Sequence, residues 1–261
     1  MSAIIINADD YALSDGICQS ILLLLEHGAV SNTTIMIAAE GAARRCKKYG
    51  IESLKARAGV HLQLTSGRPL SPRDEVLSLV DANTGMFLGP EHAGNSRTDE
   101  VEREWQRQIE LVADTLQTQP THLDSHHGVH RLSHLTPLYL ALAQRYGMAV
   151  RGGVALDQIP SAQYGIRASR ISVNSWTGRG LGLQALKEVI LSTISMLNGV
   201  GTMELVTHPG FNDPYLESTS SFNRERVNDH ACLLAMAEEQ WLRNQNISLV
   251  RYPFLDYPSN E

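Results

Sequence analysis

Four histidines and one aspartate fall within ten residues of this chain, in the stretch THLDSHHGVH (121–130). Imidazoles at that density suit metal ligation or proton transfer, because a neutral ring nitrogen binds divalent cations and the ring titrates near neutral pH. Three other segments carry related chemistry. NADDY (7–11) sets Asp9 and Asp10 directly after an apolar run, AGVHLQL (58–64) holds His61, and MELVTHPGF (203–211) ends a strand-like run in His208. Alternation along a strand puts His122, Asp124 and His126 on one face, and Glu204, Val206 and His208 on another. It likewise sets His61 and Gln63 opposite Val60, Leu62 and Leu64. A strand face this rich in titratable groups is costly to bury unless they pair with one another or with a metal.

Two imidazoles and one carboxylate leave room for water and substrate on a divalent ion, which is the catalytic arrangement rather than the structural one. A borderline cation such as Zn²⁺ or Fe²⁺ suits those donors. Such an ion activates water and polarises a carbonyl. A spare aspartate can then take a proton and a spare histidine can protonate a leaving amine. The set suits metal-assisted amide hydrolysis. Within it, Asp124 orients His126 or pairs with another histidine, Glu204 orients His208, and one helical turn brings His126 to His130. Asp9 and Asp10 can serve one site only at a frayed strand end, since neighbours on a strand point to opposite sides.

The elements needed to hold these groups alternate along the chain. Strands are expected at 3–7, 30–37, 58–64, 121–125, 148–153, 169–174, 203–208 and 247–252. Helices are expected at 14–28, 38–50, 97–116, 135–147, 183–197 and 223–244, with Ser14 as an N-cap and Gly28 as a stop. Seven or eight parallel strands interleaved with helices predict an α/β fold, a (β/α) TIM-like barrel built as one domain over 1–261. An open doubly wound sheet is the alternative, but the turn after the first strand lacks the glycine-rich phosphate signature. In a barrel the reactive groups gather at the C-terminal strand ends. The Gly- and Pro-rich stretch 66–98 is long enough to be a lid or binding loop.

The chain has 261 residues, a net charge of −6 and 43% hydrophobic residues. No basic patch points to nucleic acid. Three dispersed cysteines (Cys18, Cys46, Cys232) predict reduced thiols packed in helices. The longest purely apolar run, residues 21–25, is far below the roughly 20 residues of a membrane span. The N-terminus has no signal-peptide pattern, so a cytoplasmic location is expected. The long helices at 97–116 and 223–244 are candidates for a homodimer interface.

NADDY, TTIMI, GVHLQLTSGRPL, THLDSHHGVH and VTHPGF, in this order and spacing, resemble the YdjC-like carbohydrate deacetylases, which include chitooligosaccharide deacetylases and hopanoid-associated relatives. The resemblance covers most of the chain. It implies a distorted (β/α) barrel, a divalent cation often taken as Mg²⁺, and removal of acetyl groups from N-acetylated amino sugars. It further implies Asp10, His61 and His126 as metal ligands, Asp9 as general base, and His208 as acid or oxyanion partner. Arg151 would stabilise the oxyanion or position substrate. The chain departs from the family pattern at Tyr11-Ala12, where Phe-Gly is usual, and at Gly128, where a third consecutive histidine is common. Both departures spare the ligands and fall where substrate would be touched. Ligand chemistry favours Zn²⁺ where the resemblance suggests Mg²⁺.

Under the deacetylase reading, loops 66–98 and 209–222 line the sugar groove and Tyr11, Trp176, Phe211 and Tyr215 are candidate stacking rings. A metal phosphoesterase would need more ligands and more basic residues, with only His127 and His130 spare. A non-catalytic metal- or sugar-binding barrel would not need Asp9 beside Asp10. A two-carboxylate glycosidase would need a second acid on a separate element.

Overall fold

The computed structural model describes residues 2–153 and 159–252 of the chain. The first strand, β1 (Ser2–Tyr11), carries the isoleucine run 4–6 and continues through both aspartates. Ser14 caps α1 (Asp15–Glu26), its hydroxyl accepting from the Ile17 amide at 3.2 Å, a cap worth about 1 kcal/mol. Gly28 leaves the helix with φ +65°, the left-handed turn that glycine adopts without strain. The chain then forms β2 (Asn32–Ile35), α2 (Ala42–Tyr49), β3 (Ala58–Leu62), α3 (Thr98–Leu116), β4 (His122–Ser125) and α4 (Thr136–Arg145). Next come β5 (Ala149–Val150), β6 (Ile171–Val173), α5 (Leu183–Met196), β7 (Thr202–Thr207), α6 (Pro214–Thr219), α7 (Arg224–Glu238), α8 (Trp241–Asn244) and β8 (Ile247–Leu249).

All strand pairs are parallel. The sheet runs β5-β4-β3-β2-β1-β7-β6, with β8 beside the first residues of β1. Val150, the last residue of β5, bridges Ala168, and the Ser172 amide of β6 donates to the Gly153 carbonyl at 2.7 Å. These contacts bring the β5 and β6 edges together. The sheet therefore curls into the distorted (β/α) barrel, and the open doubly wound alternative is set aside.

The faces divide as alternation requires. Val60, Leu62, Leu123 and Val150 join the apolar cluster between sheet and helices, while His61 and Asp124 take the other side. Gly59 shows how closely β3 and β4 approach: a Cβ there would lie 2.5 Å from the His122 carbonyl oxygen and 2.6 Å from its ring. That ring stacks on Tyr252 at 3.8 Å. Cys18, Cys46 and Cys232 are free, buried and helical.

Two expectations change. The stretch 66–98 does not cover the barrel mouth but packs along α3, whose Glu104 carboxylate accepts from the Leu70 and Ser71 amides and whose Glu100 accepts from Ser78. The helix expected over 223–244 is two helices, broken at Gln240 with φ +51°. No described helix is long and apolar enough to cross a membrane.

Candidate active site

The aspartate pair is aimed by a distortion of β1. Its register with β2 slips between Ala8 and Tyr11, and Asp10 adopts φ +71°, a conformation rare outside glycine. A bulge redirects side chains that regular alternation would send apart. The strand therefore does not fray as expected; it stays paired to Tyr11 and still delivers both carboxylates to one site.

Asp10 is the focus. Its Oδ1 lies 3.3 Å from His61 Nε2 and 3.4 Å from His126 Nδ1, and it is buried without a hydrogen-bond partner. Donors about 2.1 Å from a tetrahedral ion stand about 3.4 Å apart. An orphaned carboxylate oxygen facing two imidazole nitrogens at that spacing fits a divalent cation. The His61 ring is backed by Asp124, whose Oδ1 accepts from Nδ1 at 2.6 Å, so that Nε2 faces Asp10. This is the carboxylate–imidazole support found behind metal ligands. Thr34 in turn donates to Asp124 Oδ2 at 3.1 Å. Burial disfavours charge on His61, but Asp124, Asp10 and Asp9 outweigh it and raise its pKa to about 10. A cation would bind by displacing that proton.

Asp9 is held differently. Arg151 grips both its oxygens, at 2.9 and 2.7 Å, and Asn7 adds a third bond at 2.7 Å. Burial opposes its ionisation, and Arg151 overcomes that to hold Asp9 well below the ordinary carboxylate range. Arg151 also pairs with Asp124 at 2.7 Å and Glu204 at 2.9 Å. Asp9, His61 and Asp124 form a second cluster with metal-ligand spacing, but the Arg151 guanidinium already neutralises its two carboxylates.

His208 sits at the end of β7 with its Nε2 3.8 Å from Asp9 Oδ2. Thr177 donates to Asp229, so its oxygen accepts from His208 Nδ1 at 3.0 Å and from the His208 amide at 3.1 Å. That fixes the tautomer with Nε2 unprotonated and facing the site. Burial brings His208 down to about 4 against the pull of Asp10 and Asp9. Glu204 does not orient it. Glu204 lies deeper, accepting from Ser169, Ser172 and Tyr252 as well as Arg151.

The histidine-rich stretch divides by depth. His122 is fully buried against Tyr252. His130 is buried too, its Nδ1 bonded to Ser125 at 2.6 Å. The expected turn joining His126 to His130 does not form, because His127 and Gly128 both adopt positive φ. His127 instead bonds Thr65 at 2.9 Å and lies against the His126 ring.

Above these groups opens a cavity of about 640 Å³, lined among others by Asn174, Arg131, Tyr215, Ser220 and Phe222. Loop 209–222 contributes as expected, whereas Ser66 alone represents 66–98. Of the four proposed stacking rings only Tyr215 lines the cavity. Tyr11 and Trp176 are fully buried in the core, and Phe211 packs on His230 at 4.5 Å. Phe222 lines the cavity in their place.

Three participants escaped sequence reasoning: Thr177, Asp229 and Arg226. Arg226 donates to Asp10 Oδ2 at 2.6 Å. Arg226 and Asp229 are three apart on α7 and both buried. A charged i, i+3 pair on one helix face next to apolar positions was the available signal.

The model of the YdjC-like protein family matches residues 3–244. The chain is 31% identical to a carbohydrate deacetylase of Geobacillus stearothermophilus, over 95% of this chain and 96% of that one. It is 29% identical to a chitooligosaccharide deacetylase of Yersinia enterocolitica, over 95% and 97%. A crystal structure from Enterococcus faecalis V583, provisionally assigned to cellobiose-phosphate cleavage, superposes with a TM-score of 0.84 at 26% identity, covering 97% of this chain and 98% of that one. With the match running nearly end to end and the fold in common, this chain belongs to the YdjC-like family.

Proposed function

We propose that this chain is a metal-dependent hydrolase that removes the N-acetyl group from an acetylated amino sugar or a short oligomer of it. The observation that carries this reading is Asp10 Oδ1, buried, without a hydrogen bond and facing His61 Nε2 and His126 Nδ1 at 3.3 and 3.4 Å below an open cavity. The names of the relatives from Geobacillus stearothermophilus and Yersinia enterocolitica support the substrate class.

Asp10, His61 and His126 would hold one divalent cation, which when bound supplies an activated water and polarises the acyl oxygen. Two imidazoles and a single carboxylate oxygen favour Zn²⁺ over the Mg²⁺ that the resemblance suggests. Asp9 accepts a proton from the water as it attacks the acetyl carbon. It stays ionised for that task because Arg151 pairs with both its oxygens. We assign Arg151 as a positioning residue rather than an oxyanion donor, since Asp9, Asp124 and Glu204 already occupy its guanidinium.

The C–N bond then breaks and the leaving nitrogen needs a proton. His208 Nε2, neutral and unprotonated at rest, stands 3.8 Å from Asp9 Oδ2, too far for a direct hydrogen bond. A reacting group on the cavity side of both atoms can hydrogen-bond to each, and the proton taken at Asp9 then passes through His208 Nε2 to the leaving amine. Acetate and the free amine are released. Tyr215 and Phe222 offer faces for a sugar ring.

The test is acetate release from short N-acetylglucosamine oligomers by metal-stripped protein, with and without added Zn²⁺, Mg²⁺, Mn²⁺ or Co²⁺. We expect release that depends on added metal. No release with any cation would overturn the substrate class, and equal release in the stripped protein would overturn metal dependence.

A further inference from the structure

The two oxygens of Asp10 have different fates. Oδ1 faces the two imidazoles, and Oδ2 is taken by Arg226 Nη2 at 2.6 Å. Arg226 is itself held from several sides. Its Nε donates to the Phe222 carbonyl at 3.1 Å, its Nη1 reaches the His208 carbonyl at 3.4 Å, and its guanidinium lies 4.6 Å over the Phe222 ring. Its backbone carbonyl accepts from the Gly210 amide at 3.1 Å. Gly210 is needed for this fit, since a Cβ there would lie 3.2 Å from Arg226 Cδ and 2.9 Å from Ile17. Arg226 is only 4% exposed, so it cannot swing into solvent and release the carboxylate.

Two consequences follow for whatever cation the site takes. Asp10 is confined to one oxygen, so it cannot act as a bidentate ligand. A fixed positive charge also sits beside the only carboxylate in the ligand set. Both features penalise cations that depend on carboxylate oxygen and charge, and both spare a cation that draws its affinity from imidazole. We propose that Arg226 is the metal-selectivity determinant of this site, biasing it toward Zn²⁺ and against oxygen-preferring cations such as Mn²⁺. The proposal rests on the metal-site reading above.

The experiment compares metal-stripped wild type with Arg226→Met, which keeps an apolar stem against Phe222, and with Arg226→Gln, which keeps a donor without the charge. Dissociation constants for Zn²⁺ and Mn²⁺ are measured by competition with a chromophoric chelator, with circular dichroism to confirm folding. We expect the Zn²⁺ preference, taken as the ratio of the two constants, to fall about tenfold or more in either variant that folds. Removal of the cation strengthens Mn²⁺ binding while Zn²⁺, anchored by His61 and His126, changes less. An unchanged ratio in a folded variant overturns the role of Arg226, even if both constants weaken together, because uniform weakening marks a purely structural residue. Wild type that binds neither cation would overturn the metal site itself, a separate and distinguishable failure.

Discussion

Deep in the barrel, Glu204 accepts from Arg151, Ser169, Ser172 and Tyr252. At the mouth, Asp10 gives one oxygen to Arg226 and leaves the other without a hydrogen bond, facing the His61 and His126 rings at 3.3 and 3.4 Å. Both carboxylates are buried and both meet an arginine, so burial and charge pairing alone do not separate structure from chemistry. What separates them is whether the polar atoms are used up within the chain. Glu204 is saturated and holds Arg151, which holds Asp9. Asp10, His126 and His208 line the cavity, with Asp10 Oδ1 turned to the His61 and His126 rings and His208 Nε2 turned to Asp9. Buried polar groups are normally satisfied, and although His122 Nε2 and His130 Nε2 also lack partners, Asp10 Oδ1 differs in facing two imidazole nitrogens at ligand spacing.

The contrast can be broken at several points. The largest effect is expected at Asp9→Asn, which should lower turnover by about 10²–10⁴-fold while metal content stays at the wild-type level. Parallel measurement of acetate release and bound metal checks this, and a loss of both would place Asp9 among the ligands. In the deep network, Glu204→Gln removes a charge from a buried ion pair and should cost about 3 kcal/mol of stability, read from urea unfolding. A change within error would mean that Asp9 and Asp124 alone hold Arg151.

Smaller effects sharpen the same boundary. Thr177→Val removes the acceptor that fixes the His208 tautomer. The loss of a hydrogen bond worth about 1 kcal/mol predicts up to about a tenfold fall in kcat, restored by Thr177→Ser and with metal content unmoved. His122 tests the structural side through pH. Burial first, and Arg151 second, hold its pKa well below the usual histidine value. The unfolded chain therefore takes up the proton first as pH falls. The stability this ring contributes is fully present above about pH 6.5 and is lost below it. His122→Asn should flatten the decline in stability between pH 6.5 and 5 by up to about 1.4 kcal/mol per pH unit. An identical slope in the two proteins would show that His122 takes up its proton over the same pH range in the folded and unfolded chains.

Much of this arrangement was legible from residue order. Alternation placed His61 opposite Val60 and Leu62, and it set Asp124 on the titratable face of β4, because a strand's period is local and fixed by the backbone. The resemblance implied Asp10, His61 and His126 as a ligand group, and the fold brings these three together. The bulge that turns Asp10 inward was not legible, since a positive φ at an aspartate is imposed by the packing around it rather than by its neighbours in sequence. Nor was the capture of Arg151 by Asp9, Asp124 and Glu204, or of Asp10 by Arg226, because those partners are far apart in the chain and only the curled sheet joins them. The aromatic residues misled for a related reason. Tyr11 and Trp176 follow the strand ends expected from the sequence at 7 and 174, where a loop position reads as exposed, yet both are fully buried in the core.

The most direct test of the central claim is the amount of Zn²⁺ bound per chain after equilibration and removal of excess, in wild type and in His126→Ala. His126 is at the mouth and only partly buried, so its truncation should leave the fold intact. We expect one equivalent in wild type and essentially none in His126→Ala, with matching unfolding midpoints for the metal-free proteins. One equivalent retained by the variant, or none bound by wild type, would contradict the assignment of Asp10, His61 and His126 as the metal site.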